Sequence, residues 1–534
     1  MEADPFSQSD CGSVNDLPAN IDQYAVSRCI TNKIAQSPAH KVFDTENEPS
    51  CPHQTEVQQQ LLRPILDNIR KYSIDARSNA ESDEILSKLD NGEYGPDPRH
   101  FTDDVHDLFK NALSKKKGKA KSDLTKFYET VKKDMDMAMK KLGYCCGRKY
   151  EIPKIIDEFI KCSECGHKQH PICELYVEEI IPHGFTCSFC LLKNGVQRTV
   201  LRVKDVFPKS KDWCRRTEQR VSNLLTEENR EAAKVRIIEL SSPDKSCLVS
   251  PEMKERYKGK FPDSFPFTQK VIVAFLETEE ADVLFFCMYV QEYGSECPEP
   301  NRNKAYISYL DTVQFSELGN LRTRFYHIIL NGQAEDAEKR GVEQIHLWSC
   351  PPIEGVDYIF NKHPPQQRVL PQKKLEEWYK KRYPGLKNVC EEIQERKISS
   401  PTQLPYFDGH GFPILMEDIL SKDKEIKSGG SRSKRQKLQP SNNEQLWLKI
   451  VSAVRKKKFL VLDLTPIPEA EIVQPIKEPP ELLLYSGMMA DREGFLGFCI
   501  DRNLRFSSLP EARFATWVIL REEVLLRNKK TSDV

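Results

Sequence analysis

Six residues between positions 162 and 190 carry the sharpest chemical signature in the sequence: Cys162-x2-Cys165-x4-His170-x2-Cys173-x13-Cys187-x2-Cys190. Thiolates two residues apart can grip one tetrahedral Zn2+, and imidazole is their usual companion. Six ligands are too many for one zinc and fall short of two closed sites. Cys145 and Cys146, just upstream, are the expected completing pair. In a cross-braced arrangement Cys162, Cys165, Cys187 and Cys190 share one metal, while His170 and Cys173 join Cys145 and Cys146 at the other. Adjacent cysteines hold a single ion awkwardly, and buried free thiols are the competing reading. A closed site of this kind stabilises folding and keeps no open position for catalysis.

A second set of residues suits group transfer. A strand ends in polar groups at Leu310-Asp311-Thr312, and a helix opens near Leu321-Arg322-Thr323. Free N–H groups at a helix start, with a fixed guanidinium charge beside them, make a phosphate site. An ordinary strand–helix connection with a solvated arginine is the blander reading, and on local pattern the stronger one. Tyr379, beside Trp378, reads on local pattern as an interfacial tyrosine on an amphipathic helix. Cys350 raises the idea of a covalent thiol relay, but no paired base is evident.

The elements that must position these groups follow from periodicity. Apolar residues recur at helical spacing over 56–73 (Leu61, Leu62, Ile65, Leu66, Ile69, with Pro64 inside), 82–90, 101–114 and 122–142, which predicts a small four-helix bundle. Beyond 230 short β-rich runs appear at 234–240, 270–277, 283–293, 305–315 and 344–349, with a helix over 321–340. This is the pattern of an α/β domain with a central mixed sheet and surrounding helices. Residues 422–442, rich in Gly, Ser and Lys, predict a loop; strand-like Phe459–Leu464 and a helix at 510–527 return to the fold. The 80 basic and 80 acidic residues cancel, so net charge implies no nucleic-acid or membrane partner. The first residues lack a basic start and an apolar run, so no secretory signal is expected, and no stretch is long and apolar enough to span a membrane. The 17 cysteines, an odd number, are then expected in a reducing compartment as metal ligands and buried thiols.

SYLD, LRT, W-x-CPP-x-EG-x-DYIF, HPP and EWYKK occur in order between 308 and 381, with LGYCCGRK at 142–149, VQEYGSEC at 290–297, LPYF at 404–407 and FSSL at 506–509. This series resembles the acetyltransferase domain of the CREB-binding-protein family, in a divergent, shortened form, over roughly residues 55–527. The cysteine order is similar to a plant-homeodomain (PHD) finger, with His167 as a rival to His170. The resemblance implies an acetyl-CoA-dependent histone and lysine acetyltransferase, a nuclear transcriptional coactivator, that transfers the acetyl group directly. It implies cofactor contacts at Leu310, Asp311, Thr312, Arg322, Thr323, Val369, Lys374 and Trp378. It also implies a lysine tunnel walled by Trp348 and a general acid at Tyr379, with Cys350, Pro351 and Pro352 beside the thioester. Substrate contacts are implied at Gln367, Arg368, Asp408 and Glu493. Thr312, Arg368, Val369 and Lys374 replace the family's usual Ser, Lys, Ile and Arg; Lys374 keeps the charge and loses the planar fork. Ala490 stands where an acid is usual, with Asp491 adjacent.

Residues 1–50, polar and aperiodic, are expected to be a disordered segment, and the resemblance implies a degenerate bromodomain-like helical bundle at 51–143 and a PHD-like zinc module at 144–195. The acetyltransferase domain then occupies 196–528, interrupted by the 422–442 loop, with a tail at 529–534. In the bundle the first loop is cut to about SIDARSNAESDE, and the usual pocket asparagine falls at or near Lys116, so acetyl-lysine reading is expected to be lost. The basic run 115–121 is expected either to contact phosphate or acidic partners or to be a solvated loop. The 422–440 loop resembles an autoinhibitory loop in position, and equally a nuclear-import signal or a solvated linker. Histone tails, other lysine-rich nuclear proteins, transcription factors and chromatin are the implied partners. A non-catalytic chromatin scaffold retaining the fold is the alternative, motivated by Lys374, Ala490 and the altered bundle.

Overall fold

The computed structural model describes residues 52–72, 74–94, 98–142, 160–166, 168–178, 184–196, 200–228, 234–278, 280–315, 321–353, 355–383, 385–428, 443–465 and 484–532. They form two compact units, divided at Thr199/Val200. The segment 1–50 lies outside the described residues, as do Cys145 and Cys146.

The first unit opens with four helices: α1 (Pro52–Tyr72), α2 (Ala76–Asp90), α3 (Arg99–Lys115) and α4 (Gly118–Lys141). Each turns one apolar stripe inward, and Leu62, Leu66, Phe101, Val105, Phe109, Leu124, Val131 and Met139 close a single core. α1 runs through Pro64, whose missing N–H removes one ladder bond without ending the helix. α2 begins earlier than the apolar pattern suggests because Asp75 caps it, its carboxylate accepting from Ser78 N at 2.9 Å. The cysteine-rich stretch folds as a hairpin of β1 (Ile160–Lys161) and β2 (Lys168–Gln169), followed by α5 (Ser188–Lys193).

The second unit contains α6 (Val203–Val206), α7 (Asp212–Glu227), β3 (Lys234–Leu248), α8 (Pro251–Arg256), β4 (Ser264–Glu277), β5 (Asp282–Tyr293), β6 (Lys304–Thr312), α9 (Arg322–Lys339) and β7 (Gln344–Trp348). It continues with α10 (Gln372–Arg382), β8 (Lys387–Asn388), α11 (Val389–Glu395), α12 (Gly411–Ser428), α13 (Asn443–Lys456), β9 (Phe459–Asp463), α14 (Arg492–Asp501) and α15 (Leu509–Ser532). The strands make one mixed sheet in the order β3-β4-β5-β6-β7-β9-β8. Only β6 and β7 run parallel, joined by the crossover helix α9. Every residue of β5 is buried, which its nearly unbroken apolar run requires of a strand covered on both faces. α15 packs on β5, while α7 packs on β3 and α9.

Two boundaries differ from the sequence expectation. The loop expected at 422–442 begins later, since α12 continues to Ser428; residues 429–442 lie outside the described residues. Helix formers fill that stretch, and Lys422 pairs with Asp418 one turn back at 2.7 Å. The tail expected from 529 is helical to Ser532, as nothing after Arg527 breaks α15.

A closed ion network lies inside the sheet. Lys270 on β4 pairs with Glu239 on β3 at 3.1 Å and Glu292 on β5 at 3.0 Å. Arg340, at the end of α9, forks onto both Glu292 oxygens, one at 2.6 Å, and reaches Asp336 at 2.8 Å. Lys211 and Trp213 Nε1 donate to the two oxygens of Glu239 at 2.7 Å each. Burial opposes ionisation of Glu239, yet Lys270, Lys211 and Arg340 outweigh it and hold its carboxyl well below the usual range. Three acids face three cations, so the cluster is neutral as a whole.

Candidate active site

β6 and β7 pair only from Lys304↔Gln344 to Ile307↔Leu347. Beyond that point β6 continues to Thr312 with β5 alone, while β7 ends at Trp348 beside Phe459 of β9. The parting is helped by a bulge: the β6 partner of Tyr289 is Tyr309 and that of Val290 is Ile307, leaving Ser308 extra. A cleft therefore opens at the C-terminal ends of the one parallel pair, where open α/β sheets bind ligands.

Asp311 anchors its floor. Oδ2 accepts from Ile359 N at 3.0 Å and Phe360 N at 3.2 Å, and Oδ1 lies 2.9 Å from His363 Nε2. Gln367 closes the next stretch of this loop, donating to Thr312 O at 2.8 Å and accepting from Gln314 N at 2.9 Å. Both residues thus hold the 350–371 segment against the end of β6. Burial works against protonation of His363, but Asp311 outweighs it and raises the imidazole pKa above its ordinary value. The charged pair is therefore fully formed below pH ~6.5, and its contribution fades as pH rises through the raised folded pKa. The melting-temperature gap between the wild type and His363→Gln is expected to be widest near pH 6 and to shrink above it. A gap independent of pH would remove the ion pair as its cause.

One wall is aromatic. Trp348 stands edge-on to Phe459 at 5.6 Å between centroids, and Gly411 lies beneath it. A Cβ at Gly411 would come within 2.9 Å of the indole ring, so the indole position needs glycine there. Tyr358 lies within electrostatic range of Tyr379, Tyr309, Asp311 and Arg492. Arg492 spans the rim, its guanidinium 4.9 Å from the Tyr309 ring, donating to Tyr358 O at 2.6 Å and to Glu493 at 2.7 Å. Asp408 and Glu493 are both exposed and act on each other and on Tyr309, so the two acids share one side of the mouth. Partial burial raises the Asp408 carboxyl against the pull of Lys245.

α9 and α10 form the opposite side. α9 starts at Arg322 with no side-chain cap on Leu321, so among the described residues its first N–H groups meet no capping side chain, a setting that suits an anion beside Arg322 and Thr323. α10 is pinned to it: Trp378 lies tilted against His327 with 4.9 Å between ring centroids, Arg382 donates to Asn331 at 2.5 Å, and Tyr383 donates to Leu330 O at 3.0 Å. These ties fix Tyr379, which is buried and whose hydroxyl has no hydrogen-bond partner among the described residues. Burial pushes its pKa up to about 12, so it keeps its proton at neutral pH. Lys374, Arg368 and Val369 are exposed, and among the described residues Lys374 makes no hydrogen bond or ion pair. Cys350 is also exposed. Tyr309, Tyr358, Arg492 and His363 were not singled out from sequence. The first two lie inside the SYLD and DYIF blocks, and their aromatic hydroxyls at a strand end and in a loop were the available signal.

In the first unit the sulfurs of Cys162, Cys165, Cys187 and Cys190 all lie within 4.8 Å of one another. Cys165 Sγ and Cys187 Sγ are 3.7 Å apart, close to the edge of roughly 3.8 Å that a tetrahedron of ~2.3 Å Zn–S bonds requires. The donor set therefore fits zinc. Burial resists ionisation of Cys162, but the N–H groups of Cys187, Cys165 and Glu164 outweigh it and bring its thiol down to about 6. His170 Nδ1 lies 3.8 Å from Cys173 Sγ, while its Nε2 lies 3.2 Å from Arg99 Nη1. The expected partners Cys145 and Cys146 lie outside the described residues. Elemental analysis is expected to find zinc, and Cys187→Ser to lose one equivalent while unfolding this module. Full zinc retention in that variant would discard the cluster as a metal site.

Residues 221–457 match the family model for the histone acetyltransferase domain KAT3, and residues 156–193 match the PHD domain of the p300-like histone acetyltransferases. The chain belongs to the KAT3 histone acetyltransferase family. A 417-residue stretch, 67% of this chain, is 31% identical to Protein cbp-1 of Caenorhabditis elegans, of which it covers 20%. Histone acetyltransferase HAC12 of Arabidopsis thaliana is 32% identical over 329 residues, 53% of this chain and 19% of that protein. Probable histone acetyltransferase HAC-like 2 of Oryza sativa subsp. japonica is 33% identical over 316 residues, 50% of this chain and 22% of that protein. The chain thus matches about a fifth of the length of these curated relatives. The mixed sheet with surrounding helices is the fold expected of a KAT3 domain, with helices and a PHD-like module before it. Among the described residues no helix is long and apolar enough to cross a membrane.

Proposed function

We propose that this chain transfers acetyl groups from acetyl-CoA to lysine side chains of histone tails, as a nuclear coactivator working with transcription factors on chromatin. The observation that carries the reading is the cleft at the parted ends of β6 and β7. In support, α9 follows β6, and α10, which carries the phenol of Tyr379, is tied through Gln372 to Ser349 just after Trp348. Acetyl-CoA supplies the activated acetyl thioester. Its phosphates suit the α9 start with Arg322 and Thr323, and its acyl end suits Leu310, Asp311 and Thr312. We assign Val369, Lys374 and Trp378 to contacts with the rest of the cofactor.

Lysine has a pKa near ~10.4, so its amine must shed a proton before it can attack. The apolar channel along Trp348 favours the neutral amine by desolvation. Asp408 and Glu493 at the mouth attract the cationic tail before that proton is lost. Attack forms the new C–N bond as the C–S bond breaks, and Tyr379 gives its proton to the departing sulfur. The proton released by the amine restores the phenol. Gln367 and Arg368 border the channel, with Gln367 fixed to the end of β6. Zinc on Cys162, Cys165, Cys187 and Cys190 is structural in this scheme, with a second ion drawing on His170, Cys173, Cys145 and Cys146. We assign the bundle of α1 to α4 as a bromodomain-like relic, and the acetyltransferase domain as 196–528.

Lys374 favours a second reading, a scaffold that keeps the fold without turnover, since a lysine there cannot grip phosphate in a planar fork. Incubation of the chain with labelled acetyl-CoA and histone tail peptides separates the two. Transfer to lysine supports the enzyme. Cofactor binding without transfer, where a control enzyme works, leaves the scaffold.

A further inference from the structure

We propose that the turn between α3 and α4 is a docking surface for the phosphate backbone of double-stranded DNA. Lys115, Lys116, Lys117, Lys119 and Lys121 crowd into residues 115–121. Lys116 serves the bundle itself: its Nζ donates to Ile74 O at 3.2 Å and stands 4.0 Å from Asp75 Oδ2. Lys115 also acts on the Asp75 carboxylate. Lys117, Lys119 and Lys121 are exposed, and none forms an ion pair among the described residues.

Two of these charges sit where helix physics disfavours them. Lys119 and Lys121 occupy the start of α4, whose first turn holds no acidic residue. The backbone dipoles already concentrate positive charge at that end, so each lysine there is repelled rather than stabilised. The lysines also repel one another across a two-residue connection. Exposed ammonium groups crowded together without ion-pair partners among the described residues are matched to an external polyanion.

The make-up of the turn selects the polyanion. Residues 114–123 contain no aromatic side chain, and Ala120 is their only apolar one. Protein–protein contacts rest on aromatic anchors and are depleted of lysine. The same lack removes the stacking platform that single-stranded nucleic acid needs. Compact ammonium charges on long stems suit phosphates without reading bases. Binding is accordingly independent of sequence and steep in salt, and it stands apart from the acetyl-transfer reading.

The test measures fluorescence anisotropy of a labelled mixed-sequence duplex with the full chain over a salt series. The wild type is compared with the triple variant Lys117→Ala, Lys119→Ala, Lys121→Ala. Each phosphate contact contributes about −0.9 to the slope of log affinity against log salt, so the variant is expected to flatten the slope by about 2.7. It should also melt no lower than the wild type, because the lost charges were opposed by the α4 dipole. A chain altered at Lys434, Arg435 and Lys437 instead must keep a steeper slope than the triple variant. Equal slopes and affinities in wild type and triple variant would overturn the proposal. So would a preference for poly-glutamate over the duplex at matched charge, which would assign the surface to an acidic protein.

Discussion

Tyr379→Phe is expected to lower kcat by roughly 10²- to 10⁴-fold, the usual contribution of a positioned general acid. The substitution removes one oxygen from a buried side chain that makes no hydrogen bond among the described residues. The fold therefore loses no partner, and acetyl-CoA affinity should stay within about twofold, as Trp378 and Arg322 are untouched. Burial holds the phenol pKa at about 12, so the wild type keeps its proton through the physiological range. Any fall in its rate at high pH should then begin only as pH approaches that value. Steady-state kinetics with a histone tail peptide, together with a cofactor-binding titration, reads both quantities. A variant with wild-type kcat would remove Tyr379 from the proton path.

Arg340→Met should destabilise the second unit by about 3–5 kcal/mol, the usual loss on breaking a buried ion pair from one side. Arg340 is 2% exposed and is the only cation that reaches Asp336 and both oxygens of Glu292 at once among the described contacts. Without it three buried acids face Lys211 and Lys270 alone. Adding Glu292→Gln should recover part of the loss, since the excess charge disappears even though the fork does not return. Urea unfolding of the wild type, the single and the double variants measures this. A loss under about 1 kcal/mol would show that the cluster relaxes or admits water.

The sheet domain was readable where strands are buried on both faces and much less so at their ends. The run 283–293 corresponds closely to β5 because a nearly unbroken apolar stretch has little alternative, and 344–349 corresponds to β7, where Ile345 and Leu347 alternate with polar residues. β3 extends well past 240, through Ser241 and Ser242 to Leu248, because β4 supplies a partner there across a bulge. Apolar periodicity cannot report pairing of that kind. β8 is two residues long and exists only as a partner of β9, so no local pattern announces it. In the site, Trp348, Asp311 and Tyr379 were visible as residue types in recognisable blocks. The roles of Asp311, as acceptor, and Gln367, as donor and acceptor, in fastening a loop depend on residues about fifty positions away, and those contacts follow from the fold. Arg492 was hidden for the same reason, as its ring contacts come from Tyr309 and Tyr358.

β9 enters the sheet between β7 and β8, both of which precede it in the chain. A growing polypeptide that has not yet reached Phe459 carries β7 with a bare edge and β8 with nothing to join. Trp348 at that stage lacks the phenylalanine it leans on. The stretch matching the family stops at 457, just short of this strand. A fragment cut there would display the raw backbone edge that draws separate chains into sheets with one another. Its failure to stay in solution would reflect a missing strand, and would say nothing of the chemistry. The practical lower limit for an expressible domain is therefore set by Asp463 and by α15, which packs on β5 from the far end of the chain.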